Sequence, residues 1–77
     1  MPKNKKNLAE QQFIEGWSIT PENLDRAGVV VDAALLRKKG EYQLAHGFYT
    51  VALDVFTHAG DGDGIRRTLE AVTTVNP

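Results

Sequence analysis

Between Leu36 and Phe56 the apolar residues recur too densely for a helix that keeps one side in water. At about 100° per residue, Tyr42, Ala45, Tyr49, Ala52, Leu53 and Phe56 share one side, and Leu44, Phe48, Val51 and Val55 share another. Only a wedge of His46, Gly47, Thr50, Asp54, Thr57 and His58 stays polar. A helix apolar on two sides must lie between neighbours, so the run implies an all-α array. Gly40 can adopt the positive φ that ends a helix, which predicts a helix over about Glu41–His58 preceded by another.

That preceding helix has a marked start. Thr20 can cap it, Pro21 suits its first position, and Glu22 meets the positive end of its dipole. Arg37, Lys38 and Lys39 complement its far end, so it is expected to run from Pro21 to Lys39. It too carries two stripes: Val29, Ala33 and Leu36 on one side, and Leu24, Ala27, Val31, Ala34 and Leu35 on the other. An earlier helix is expected over Asn7–Trp17, with Phe13, Ile14 and Trp17 on one side. After Gly60-Asp-Gly-Asp-Gly64, Asp61 or Asp63 can cap a last helix reaching about Val75. Its single stripe of Ile65, Thr68, Leu69, Val72 and Val75 suits an outermost position. Residues 1–6 read as a disordered basic N-terminus and 7–77 as one domain.

A chain of 77 residues buries only roughly 60% of its unfolded surface, so it needs support from elsewhere. It has no cysteine and two histidines, which leaves oligomerisation as the expected support. A net charge of −1 gives no reason to expect nucleic acid or an anionic membrane as partner. Met1-Pro-Lys-Asn-Lys-Lys is followed by no apolar stretch, so neither a secretion signal nor a membrane span is read and a cytoplasmic location is the expectation.

Chemistry finds little purchase. His46 and His58 would lie about 120° apart on one helix, too divergent to meet at one atom, and Asp54 between them reads as part of a solvated wedge. The Gly60–Gly64 run lacks the closing glutamate of a calcium loop and the lysine of a phosphate loop, so it reads as a helix-opening turn. No catalytic residue, metal ligand or cofactor is assigned, and a non-enzymatic chain is expected.

The spacing Gly40, Tyr42, Ala45, Tyr49, Ala52, Leu53, Phe56 resembles the tetratricopeptide repeat (TPR), a helix–turn–helix unit used in protein–protein contact. The resemblance implies an antiparallel hairpin within a small three- to four-helix array. It spans about Arg26 to Val72: one full repeat, with Val29, Ala33 and Leu36 at the seam, and a C-terminal capping helix. Asp32 stands where leucine is usual and Thr57 where many repeats end in proline. Gly60-Asp61 with Gly64 and Leu69 looks like the opening of a next repeat. A shift of roughly 34 residues sets Val31 on Ile65 and Leu35 on Leu69. The microtubule-interacting and trafficking domain, a three-helix bundle with a similar central hairpin, is the alternative.

By this resemblance Ala27, Val30, Ala34, Arg37 and Lys38 would line the surface that takes a protein or peptide partner bearing an acidic segment. Ala33, Ala45 and Ala52 would be small where the hairpin helices cross. The stripe containing Leu24, Val31 and Leu35 has no obvious cover in one chain. A homodimer centred on those three residues is therefore expected, with Phe13 and Trp17 reaching across. A purely structural self-assembling module or an accessory subunit is the competing reading.

Overall fold

A computed structural model describes residues 4–75, with side chains for 5–74; expectations for Met1–Lys3, for the domain's last residues Asn76 and Pro77, and for the Val75 side chain fall outside these. Among the described residues five helices follow one another: α1 Asn4–Glu15, α2 Pro21–Arg26, α3 Ala33–Ala45, α4 Tyr49–Ala59 and α5 Gly62–Val75. The fold is all-α. α3 lies between α1 on one side and α4 on the other, and α5 packs on α4 and touches α3. The stack measures 47 × 21 × 17 Å.

The structure corrects three expectations, the first being where the early helices begin and end. The helix read as Pro21–Lys39 breaks after Ala27, because Gly28 takes a φ of 80°. There Gly28 N donates to Asp25 O and Val29 N to Leu24 O, the paired bonds that close a helix through a left-handed residue. Asp32 then starts α3 afresh by accepting from Leu35 N at 2.9 Å. Asp32, one of the two residues that depart from the TPR pattern, is thus a helix cap. At the N-terminus α1 already begins at Asn4, so Lys5 and Lys6 are helical rather than part of a disordered arm.

The second correction is the hairpin turn. α3 passes through Gly40 without a break and ends at Ala45, the chain then turning through Gly47, whose φ is 79°. The spacing that pointed to Gly40 recurs seven residues later as Gly47, Tyr49, Ala52, Phe56, Ala59. The chain turns on this second frame. Gly40 serves packing: a Cβ on it would lie 2.5 Å from Phe56 Cε1, and one on Gly64 would come closer still to the same ring. Phe56, fully buried, is wedged between α3 and α5 with no room for a methyl group on either side. Ala52, Val55 and Thr68 complete this core, and Thr68 donates its hydroxyl to Gly64 O at 2.8 Å. In this register Ala52 is buried, while Ala33 and Ala45 face solvent, contrary to the expected seam.

The third correction concerns Leu24 and Leu35. Both are buried, with Ala9 and Val29, in a second cluster against which Phe13, Ile14, Ile19 and Ala27 pack. The break at Gly28 folds α2 and the Val29–Asp32 link back toward α1, so Leu24, Ala27 and Leu35 of the stripe that lacked cover in a straight helix are covered by their own chain, while Ala34 stays exposed. Leu24, Leu35 and Phe13 are core residues of one copy, not the centre of a dimer interface. Val31 and Trp17, 44% and 65% exposed, remain at the surface.

α3 and α5 are also clamped at their edges. Arg67 donates to both carboxylate oxygens of Glu41, Nη1 to Oε1 at 3.0 Å, and through Nε to Asp63 at 2.9 Å. Its guanidinium stands 5.7 Å from the Phe56 ring centre. These partners raise the Arg67 pKa, and Arg66 and then Arg67 hold Asp63 below the usual carboxylate range. Asp61, not Asp63, caps α5 by accepting from Gly64 N at 3.1 Å.

Candidate functional site

The site begins with how α1 is held on α3. The last carbonyls of a helix have no partner within it. α3 supplies partners for two of them: Lys39 Nζ donates to Phe13 O at 2.8 Å and Gln43 Nε2 to Ile14 O at 3.0 Å. The Lys39 ammonium also sits 4.4 Å from the Phe13 ring centre. Burial pushes its pKa below the usual lysine range, while the carbonyl and the ring face compensate the charge.

With α1 fixed, Lys6 and Glu10, four apart on α1, face Ala34 and Lys38, four apart on α3. They line a groove of about 350 Å³ together with Val30, Asp32 and Leu35. A second groove, about 570 Å³, adjoins it and shares Val30; its walls are Phe13, Ile19, Pro21, Leu24, Val29 and Val31, with Asp25 as the charged residue. Val30, 72% exposed, is the ridge between the two.

Of the five residues expected to meet a partner, Val30, Ala34 and Lys38 come together in the first groove. Arg37 is exposed on α3 beside Lys38 but outside the groove lining, and Ala27 is half-buried against the α1–α2 core. Lys6, Glu10 and Asp32 were missed. Lys6 and Glu10 have a helical i, i+4 spacing, and Asp32 three residues before Leu35 is a cap signal; both were legible.

The histidines do not converge. His46 closes α3, stacked on Tyr42 at 4.1 Å with Nδ1 donating to Tyr42 O, whereas His58 lies in the last turn of α4 beside Asp54. Among the described residues no group of three or more His, Cys, Asp or Glu could hold a metal ion. No helix among them is long and apolar enough to cross a membrane. Beyond Glu15, Trp17 donates its indole N–H to the Glu15 carboxylate at 3.0 Å. Gln11 and then Trp17 hold Glu15 below the usual carboxylate range. Comparison with known proteins finds no matching family model, no matching curated protein and no matching solved structure.

Proposed function

We propose that the chain is a non-enzymatic protein-binding module of TPR-like build that grips a segment of a partner protein in the groove between α1 and α3. The observation that carries this reading is the convergence of Val30, Ala34 and Lys38, from the helix and link expected to face a partner, on one groove. The TPR-like build is supported by α3, α4 and α5 touching one another pairwise and by the spacing Gly47, Tyr49, Ala52, Phe56, Ala59. One departure stands against a regular array: the caps Asp32 and Asp61 are 29 positions apart, short of the roughly 34 of a TPR.

A photo-crosslinking residue at Val30, compared with one at exposed Thr50 on α4, tests the reading in native extract. The expected result is an adduct from Val30 alone, lost when Ala34→Arg fills the groove. Equal labelling from both positions, or none from Val30, removes the reading.

Self-association is a second reading, favoured by the outer face of α5, where Leu69 is 50% exposed between Ile65 and Thr73. It moves the homodimer interface away from Leu24 and Leu35. Sedimentation equilibrium of wild type and Leu69→Glu decides it: a wild-type monomer at tens of micromolar ends this reading.

A further inference from the structure

A third groove lies between α1 and α2, where the small side chains of Ala9 and Ala27 leave a hollow of about 290 Å³. Leu8, 60% exposed, forms an apolar wall, and Gln12 and Asn23 add side-chain amides. The charged residues of the lining are Lys5 from α1 and Arg26 from α2; among the described residues no carboxylate joins them. Neighbouring carboxylates face elsewhere: Glu10 lines the α1–α3 groove and Asp25 the groove of Ile19 and Val29. Glu22 precedes Arg26 by one turn, yet neither Arg26 nor Lys5 makes an ion pair among the described residues. The volume falls at the small end of the roughly 300–1,000 Å³ of small-molecule sites. We propose that this groove binds a small amphipathic carboxylate, its head between Lys5 and Arg26 and its hydrocarbon body over Leu8, Ala9 and Ala27. The planar fork of an arginine matches a carboxylate through two parallel hydrogen bonds. An amine on the same hydrocarbon would meet two like charges, and an alcohol would bury the same area without the attraction. The site shares no lining residue with the α1–α3 groove, so it stands independently of the protein-binding reading.

Octanoate, octanol and octylammonium share one chain and differ in the head, while acetate keeps the head without the chain. Titrated into the isotope-labelled full chain at low salt, octanoate should shift the amides of Leu8, Ala9, Gln12 and Ala27. Its affinity should exceed that of octanol and of acetate by about tenfold each, and octylammonium should leave those amides in place. Lys5→Gln/Arg26→Gln removes both charges from exposed side chains, and an unchanged melt checks its fold; octanoate should then bind no better than octanol. Should Arg26→Gln lower the melt, Lys5→Gln alone should still weaken octanoate by about threefold and leave octanol unaffected. Equal binding of octanoate and octanol by the wild type, or octylammonium shifting the same amides, overturns the proposal. So does octyl phosphate binding more tightly than octanoate, or octanoate shifts centred on Ile19, Val29 and Val31.

Discussion

Gly62 and Gly64 lie two residues apart in the first turn of α5, and alanine should act on them in opposite directions. A Cβ at Gly62 meets nothing within 4 Å. Gly62→Ala should therefore be neutral or stabilise by up to ~1 kcal/mol, through backbone entropy alone. At Gly64, and equally at Gly40, the new carbon falls inside the van der Waals envelope of the Phe56 ring. The ring cannot retreat from one glycine without approaching the other. Overpacking of this kind costs about 1–3 kcal/mol. The helical gain of alanine returns about 0.5–1 kcal/mol, which leaves a net loss of roughly 1–2 kcal/mol. For a domain of this size that lowers Tm by on the order of 5–10 °C. Urea and thermal melts of the three single variants measure it. Adding Phe56→Leu to Gly40→Ala should recover part of the loss, giving a coupling that independent sites would not show. A Gly40→Ala or Gly64→Ala protein more stable than wild type would refute the wedge and with it the α3–α4 register.

Gln43→Leu uncaps the Ile14 carbonyl of α1, at about 1 kcal/mol, whereas Lys39→Met leaves Phe13 O with its bond from Gly16 N and should cost less; hydrogen exchange of Gln43→Leu should show α1 amides opening sooner while α4 amides keep their protection. Asp63 has a folded pKa below its unfolded one, so its contribution is present above the unfolded carboxylate pKa and lost as pH falls through the depressed value. Melts between pH 5 and pH 2 should therefore fall less steeply in Asp63→Asn than in wild type. Ala45→Leu, at a solvent-facing position, should change stability by less than ~0.5 kcal/mol; a loss comparable to that of Gly64→Ala would restore the hairpin turn at Gly40.

How much of this was legible follows from which signals are local. The Thr20 cap and the Pro21 start stand where the side-chain chemistry placed them, with Thr20 accepting from Asn23 N at 3.1 Å, and of the two caps open to the last helix, Asp61 and Asp63, the chain uses Asp61. The stops were misread because a glycine can end a helix or admit a ring, and only the partner in space decides which. At Gly28 and Gly47 no side chain approaches, and the backbone turns left-handed. At Gly40 Phe56 arrives from another helix, and the backbone stays helical. The site suffered similarly: Val30, Ala34 and Lys38 were implied by the resemblance, but Lys6 and Glu10 enter through the tertiary contact of α1 with α3, and Lys6 belongs to a terminus read as disordered.

The misplaced turn left the fold class intact for a geometric reason. Seven residues at about 100° each advance a helix by nearly two whole turns, a drift of about 20°. A frame displaced by seven therefore assigns each apolar residue to almost its true face, which is why Ala52 and Phe56 were expected in the core and are there. What the displacement changes is which helix a residue belongs to. Glu41 to Ala45 pass from the start of the second hairpin helix to the end of the first, so Gln43 can reach back to cap α1 and Glu41 can meet Arg67 on α5. Those two contacts set α1 and α5 against opposite flanks of α3. If α3 ended at Gly40, α1 would keep its anchor at Lys39, just before that point, but lose the one at Gln43, which lies beyond it, and its hold along the groove with Ala34 and Lys38 would weaken. The candidate binding surface thus depends in part on carrying the helix through Gly40, and the ring of Phe56 is what holds that glycine in the helix.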